Sequence, residues 1–416
     1  MGNEGIKRLR LGFVVQRYGV EVNGGAELHC RALAQRLAAR SDVESVTVLT
    51  SCAQSFETWR NAYPAGVEQL GNVRVERFRT LLPRWNSMAI RLEQRIRAAP
   101  HPTWVEQLWL ACQGPVLPGL LARLRSLARE TDAVTFFTYL YHPTVVGLPR
   151  VAHRAILVPT AHEEWAIEQR IYQRLFRLPA AIAFNTPEER EFVLGRFDVG
   201  QARHDIVGCG VELPTRDAPA APVKGPFLLY LGRMVHSKGV LEALQAFLAL
   251  KQNHPDALLD AGPSPTTVAD LKLVLAGGGT LHDLPQHPDV VPLGFVEDPV
   301  RVALLRDCLA LVMPSRFESL SLVMLEAWTF GRPVVVQSAC AATRGHVERC
   351  DGGVLYGSAE EFANGLLPLL ADAARRREVG RRGRAYVEKT YSWSAVEERF
   401  LALVRHVRGA SEASSR

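Results

Sequence analysis

Short apolar runs alternate with amphipathic stretches along the N-terminal half of the chain. Residues 9–15, Leu-Arg-Leu-Gly-Phe-Val-Val, are of strand length and type, and a glycine-rich loop runs from Gly19 to Gly25. The stretch 26–37 then sets Leu28, Ala32, Leu33 and Leu37 at helical spacing, and 45–50 returns to strand character. Further strand runs are expected at 133–139, 154–159 and 180–185. This alternation predicts a parallel sheet wrapped by helices.

The pattern lapses at 213–226, where prolines are frequent and large apolar side chains scarce, as in a linker. A second alternating series follows. It predicts strands at 227–231, 271–276, 290–293, 309–313 and 333–337, and helices at 239–252, at 299–307 and from about 321. The fold expected is α/β: two doubly wound parallel-sheet domains facing across a cleft, residues 1–212 and 227–392. Ser394 and Glu397 have capping-box spacing and predict a terminal helix over 393–416, frayed from Gly409 onward. Residues 253–268 are expected as a surface insertion.

Composition narrows the class. The chain has 416 residues, 47% hydrophobic and 22% charged, values typical of a water-soluble protein of two or three domains. No apolar run approaches the roughly 20 residues needed to cross a bilayer. The charged N-terminus lacks the apolar stretch of a signal peptide. Seven scattered cysteines without C-x-x-C spacing predict reduced thiols, no cysteine metal site and a cytoplasmic protein. Net charge is +6, and residues 1–214 hold 26 Lys and Arg against 21 Asp and Glu. Seven arginines (Arg74, Arg77, Arg79, Arg84, Arg91, Arg95, Arg97) lie within 74–97, beside Trp85, Met88, Ile90, Leu92 and Ile96. Such a stretch suits either a solvated helix face or contact with an anionic membrane, at its inner face, that presents a lipid-linked acceptor. Neither zinc-finger spacing nor an interleaved basic and aromatic pattern is present, so nucleic acid is not an expected partner.

Candidate chemistry gathers at predicted strand ends. Gly232-Arg233-Met234-Val235-His236-Ser237-Lys238-Gly239 follows one strand. An arginine fork, a lysine point charge and a helix start at one place suit a diphosphate. About 80 residues on, Phe317-Glu318-Ser319-Leu320-Ser321-Leu322 leads into a helix that carries Glu326. Two carboxylates accept hydroxyl hydrogen bonds strongly, and the amides of 319–322 sit at a positive helix end. Gly24 and Gly25 stand before the first helix, and His162 stands after a strand in Pro159-Thr160-Ala161-His162. Thr186 and Glu188 are better explained as helix-start residues. With no Asp-x-Asp in the chain, a bridging metal is not required, since Arg233 and Lys238 supply positive charge.

These motifs resemble the retaining GT-B glycosyltransferases of family 4. The resemblance rests on Gly24-Gly25, Gly232-Arg233 with Lys238-Gly239, Gly277-Gly278-Gly279, Gly294-Phe295-Val296, and Glu318-x7-Glu326 followed by Gly331-x-Pro333. It covers nearly the whole chain and implies two Rossmann-like domains of GT-B architecture. It implies a nucleoside diphosphate sugar as co-substrate, no cofactor, and an acceptor saccharide, lipid-linked saccharide or small molecule. By this likeness Arg233 and Lys238 bind the diphosphate, Glu326 the ribose and Glu318 the donor sugar. Phe295 and Val296 would meet the base through their backbone, Gly278 would lie in the donor site, and His162 would sit near the reacting sugar. The C-terminal helix would return to the N-terminal domain. Ser319 and Ser321 depart from the pattern, since many relatives carry glycine at both places. The reaction expected is same-face transfer to an acceptor hydroxyl. The alternatives are a nucleotide-sugar epimerase of the same fold and a non-catalytic nucleotide-sugar sensor.

Overall fold

The computed structural model describes residues 7–22, 24–213, 219–262, 264–279, 281 and 284–414. Asn23, at the first glycine loop, and residues 214–218 of the expected linker lie outside the described residues. The chain forms two compact units, residues 1–209 with 396–416, and residues 210–395.

The first unit holds an eight-stranded sheet: β1 (Leu9–Val14), β2 (Val43–Ser51), β3 (Gly66–Leu70), β4 (Val73–Phe78), β5 (Ala133–Phe137), β6 (Ala155–Val158), β7 (Ala181–Phe184) and β8 (Arg203–Ile206). The order is β3-β4-β2-β1-β5-β6-β7-β8, parallel except for the β3–β4 pair. Its helices are α1 (Gly25–Ala38), α2 (Asn86–Ala98), α3 (Thr103–Gln113), α4 (Pro118–Glu130), α5 (His142–Gly147), α6 (Arg170–Gln173) and α7 (Pro187–Arg196). Strands β1, β5, β6 and β7 are buried nearly throughout, as central strands covered on both faces must be. In α1 the buried apolar stripe is Cys30, Leu33, Ala34 and Leu37, while Leu28 and Ala32 are only half-buried.

The second unit holds a six-stranded parallel sheet and a small hairpin. The strands are β9 (Phe227–Leu231), β10 (Leu258–Leu259), β11 (Thr266–Thr267), β12 (Lys272–Ala276), β13 (Val290–Gly294), β14 (Ala310–Met313), β15 (Val334–Gln337) and β16 (Gly353–Tyr356). The sheet order is β13-β12-β9-β14-β15-β16, and β10 pairs with β11 alone within the stretch expected as an insertion. Its helices are α8 (Val240–Asn253), α9 (Asp298–Asp307), α10 (Leu322–Thr329), α11 (Ala341–Cys350), α12 (Ala359–Ala371) and α13 (Ala373–Thr390). The order steps outward in both directions from β9, so the loops after β9 and β14 are neighbours at the carboxyl edge.

The last helix, α14 (Trp393–Ser414), belongs to the first unit from Val396 onward. Its Phe400 ring stacks on Phe13 at 6.0 Å, and Val396, Leu403, Val404 and Val407 are buried. Two expectations fail here. The Glu397 carboxylate does not cap the helix: Arg36 and Arg40 donate to it at 2.7 and 3.1 Å, a stronger charge-assisted pairing. The helix also does not fray from Gly409. It continues to Ser414, and Ser411 Oγ donates to the His153 carbonyl at 3.1 Å.

A third correction concerns 74–97, which is not one basic helix face. Arg74 and Arg77 lie on strand β4, and Arg77 is buried, donating to Glu68 Oε1 at 2.6 Å and to the Tyr18 carbonyl. Arg84 turns inward to the Phe56 carbonyl, and Arg97 pairs with Glu93. All seven cysteines are free thiols, six of them buried. Among the described residues no helix is long and apolar enough to cross a membrane.

Candidate functional site

Four loops meet at the carboxyl edge of the second sheet, held together by backbone. The Gly232 amide donates to the Ala276 carbonyl at 2.9 Å, and the Met234 amide to Gly278 at 2.8 Å. The Gly277 amide donates to the Gly294 carbonyl at 2.7 Å, which joins the loops after β12 and β13. Glycine is required at two of these crossings. Gly277 has φ 143°, and a Cβ there would fall on the Gly232 carbonyl. Gly239 has φ 70°, and a Cβ would lie 2.5 Å from the Pro314 carbonyl oxygen. The second crossing presses the loop after β9 against the loop after β14, so the two signatures share one place.

There Lys238 Nζ donates to Glu318 Oε1 at 2.6 Å, with both side chains largely covered. Lys238 ends a 3-10 turn, His236–Lys238, directly ahead of α8. Arg233 is exposed, and its carbonyl accepts from the Tyr230 hydroxyl at 2.7 Å, which braces the loop. Desolvation pushes the Tyr230 phenol up, keeping it a donor.

Ser321 sets the start of α10. It adopts φ 69° and ψ 81°, left-handed backbone that favours glycine, and its side chain does not cap the helix. Here lies the physical content of the departure from glycine: serine holds a conformation that costs about 1–2 kcal/mol in residues other than glycine. The Met324 and Leu325 amides donate to the Ser321 carbonyl, and those of Leu322 and Val323 are left to meet a ligand. Trp328 anchors the helix from below, its Nε1 donating to the Gly352 carbonyl at 2.7 Å.

Glu326 stands one turn into α10. Its Oε2 accepts from Arg301 of α9 at 2.6 Å. Burial pushes this carboxyl above the usual range, and the Arg301 guanidinium opposes that shift. Arg301 was not singled out in the sequence, although Asp298-x-x-Arg301 spacing on a helix was visible. His346 of α11 is a second residue the sequence did not flag. It is fully covered, burial pushes it down to about 3, and the Tyr386 hydroxyl lies 2.9 Å from Nδ1. A lone histidine inside a helical run carries no signal of its own.

The structure thus brings together Arg233, Lys238, Gly278, Phe295, Val296, Glu318, Ser319, Leu320, Ser321, Leu322 and Glu326 on one sheet edge. Phe295 is exposed and Val296 half-buried just after β13. Two cations, a helix start and two carboxylates at one sheet edge can hold an anionic group beside hydroxyls.

Gly24, Gly25 and His162 belong to the first unit and are placed there. Gly24 is the N-cap of α1 and Gly25 its first residue. A Cβ on Gly24 would collide with the Glu27 carboxylate, which Arg17 Nε holds at 2.9 Å, so this helix start already carries a negative group. His162 follows β6, its Nε2 3.8 Å from Glu164 Oε1. Its loop is held by Glu189, whose oxygens accept from the Ala161 and Asn185 amides at 2.5 and 2.6 Å. Thr186 caps α7, its hydroxyl accepting from the Glu189 amide at 3.1 Å.

Residues 225–372 match the family described as Glycosyl transferases group 1. The chain is 25% identical over 228 residues to an uncharacterized glycosyltransferase of Methanocaldococcus jannaschii, covering 51% of this chain and 53% of that protein. It is 29% identical over 228 residues to the D-inositol 3-phosphate glycosyltransferase of an Arthrobacter species, covering 51% and 52%. The matched stretch spans about half the length of these two curated relatives. Among solved structures, a sucrose-phosphate synthase from Thermosynechococcus elongatus superposes with TM-score 0.66 at 18% identity, over 97% of this chain and 100% of that one. That likeness extends the fold over both units. The glycosyl transferases group 1 match therefore lies within the second unit, and the chain as a whole has the GT-B fold.

Proposed function

We propose that the protein transfers a sugar from a nucleoside diphosphate sugar to an acceptor hydroxyl with retention at the anomeric carbon. The observation that carries this reading is the Lys238–Glu318 contact at the start of α10, where the two signatures meet. Arg233 and Lys238 neutralise the diphosphate, and the first-turn amides of α10 add partial positive charge. Glu318 takes donor-sugar hydroxyls, and Glu326, fixed by Arg301, takes the ribose hydroxyls. Phe295 and Val296 border the base. His162 keeps a role at the reacting sugar, and Gly24 and Gly25 a role in donor binding.

Transfer breaks the bond between the anomeric carbon and the diphosphate oxygen. The acceptor oxygen attacks from the face the diphosphate leaves, through an oxocarbenium-like state. The acceptor proton passes to the departing phosphate oxygen. Positive charge fixed at the leaving group is the main source of rate. The acceptor is a saccharide, a lipid-linked saccharide or a small molecule.

Incubation with a panel of nucleoside diphosphate sugars tests the proposal. The expected result is nucleoside diphosphate release, accelerated by an acceptor, with the product's anomeric configuration equal to the donor's by NMR. Donor consumption that yields an epimer without an acceptor would replace this reading with the epimerase.

A further inference from the structure

The α2–α3 hairpin of the first unit presents an unusual outer face. Six of the fourteen exposed large hydrophobic side chains among the described residues fall within 81–108: Leu81, Leu82, Trp85, Ile90, Trp104 and Leu108. Trp85 is 56% and Trp104 61% exposed. The inner face is already used, with Ala89 and Ile96 of α2 and Val105, Trp109 and Leu110 of α3 buried in the core of the unit. The Trp85 amide donates to the Cys112 carbonyl at 3.2 Å, and the Leu81 amide to Val116 at 2.9 Å. The helices therefore run antiparallel, with the 81–85 segment beside the end of α3. Trp104 and Leu108 stand one turn apart on the outer face.

The exposed charges left unpaired on α2 and α3 are of one sign, and an exposed Glu57 lies beside Asn86 at the edge of the face. Glu93 is held by Arg97, whose guanidinium also lies over the Trp165 ring at 4.7 Å. Glu106 is buried against His101 and Arg170. Arg79, Arg91 and Arg95 are exposed and make no ion pair among the described residues. A second copy meeting this face about a two-fold axis would oppose these arginines to themselves. An anionic bilayer offers what the face lacks, phosphates for arginine and an interface that receives tryptophan. Helices of 13 and 11 residues are too short to span and suit an in-plane contact.

We propose that the outer face of the α2–α3 hairpin docks on the surface of an anionic lipid bilayer. The inference is independent of the donor-site reading. It differs from the arginine stretch expected from sequence, because four of those seven arginines serve internal contacts and α3 supplies half of the apolar anchors on the two helices and Trp85.

Sedimentation of the full chain with vesicles tests it, using phosphatidylcholine alone and with phosphatidylglycerol, at low and high salt. The expected result is co-sedimentation with anionic vesicles at low salt, weakened by high salt. A blue shift of tryptophan emission should accompany binding. Trp85→Ser with Trp104→Ser should abolish the shift and the binding. Arg91→Glu with Arg95→Glu should weaken binding at least about fivefold per arginine. Both double variants should keep the wild-type Tm. A protein that stays in the supernatant at low salt overturns the proposal. So does binding that is indifferent to the arginine reversals, or a concentration-dependent dimer, made monomeric by the tryptophan changes, that does not bind vesicles.

Discussion

Lys238 and Glu318 neutralise one another at 2.6 Å, so a diphosphate must compete with Glu318 for the ammonium. Opposite responses to substitution follow. Glu318→Gln should leave Lys238 available and bind free nucleoside diphosphate as well as or better than wild type, while turnover falls. Glu326→Ala should weaken free nucleoside diphosphate and nucleoside diphosphate sugar alike, because ribose is common to both. It also strands Arg301 beside the site. Loss of a hydrogen bond to a charged group costs about 1.5–3 kcal/mol, or roughly ten- to a hundredfold in affinity. Calorimetry showing the reverse pattern would exchange the two roles. The residue types at this site were legible in the sequence, because cations and carboxylates at strand ends are a chemical statement. Their pairing was not, since it depends on β9 and β14 being neighbours in the sheet.

Single elements carry the clearest differences between expectation and structure. Apolar runs located the central strands well, because a strand buried on both faces has no polar alternation to confuse it. Strand β4, Val-Arg-Val-Glu-Arg-Phe, was absorbed into a supposed basic helix although its period of two was visible. The Glu397 cap was lost to arginines more than 350 positions away, which no local rule could supply. Helix α7 offers a test at this scale. Burial pushes Glu189 up to about 8, against the pull of the Asn185 and Ala161 amides. A carboxyl whose folded pKa is raised stabilises the fold fully below its unfolded value of about 4.5. That contribution is lost as pH rises through about 8. Wild-type Tm should therefore decline between those limits by more than that of Glu189→Gln, which is neutral throughout. Parallel Tm profiles in the two proteins would show that Glu189 is ionised at neutral pH.

At the scale of the whole molecule, two sheets joined by a proline-rich segment were legible because each repeats its own alternation of period. The division falls at residues 209/210 and again at 395/396, within α14, where no shift in composition marks it. The family match is carried by residues 225–372, the same region in which four loops meet at one sheet edge. The central claim is that this region binds a nucleoside diphosphate through its paired cations. Calorimetric titration of nucleoside diphosphates with each base, against wild type and Lys238→Ala, tests it most directly. The account predicts that at least one binds the wild type and that the variant, at unchanged Tm, binds it about ten- to a hundredfold more weakly. No binding to the wild type with any base, or equal binding to both proteins, would contradict it.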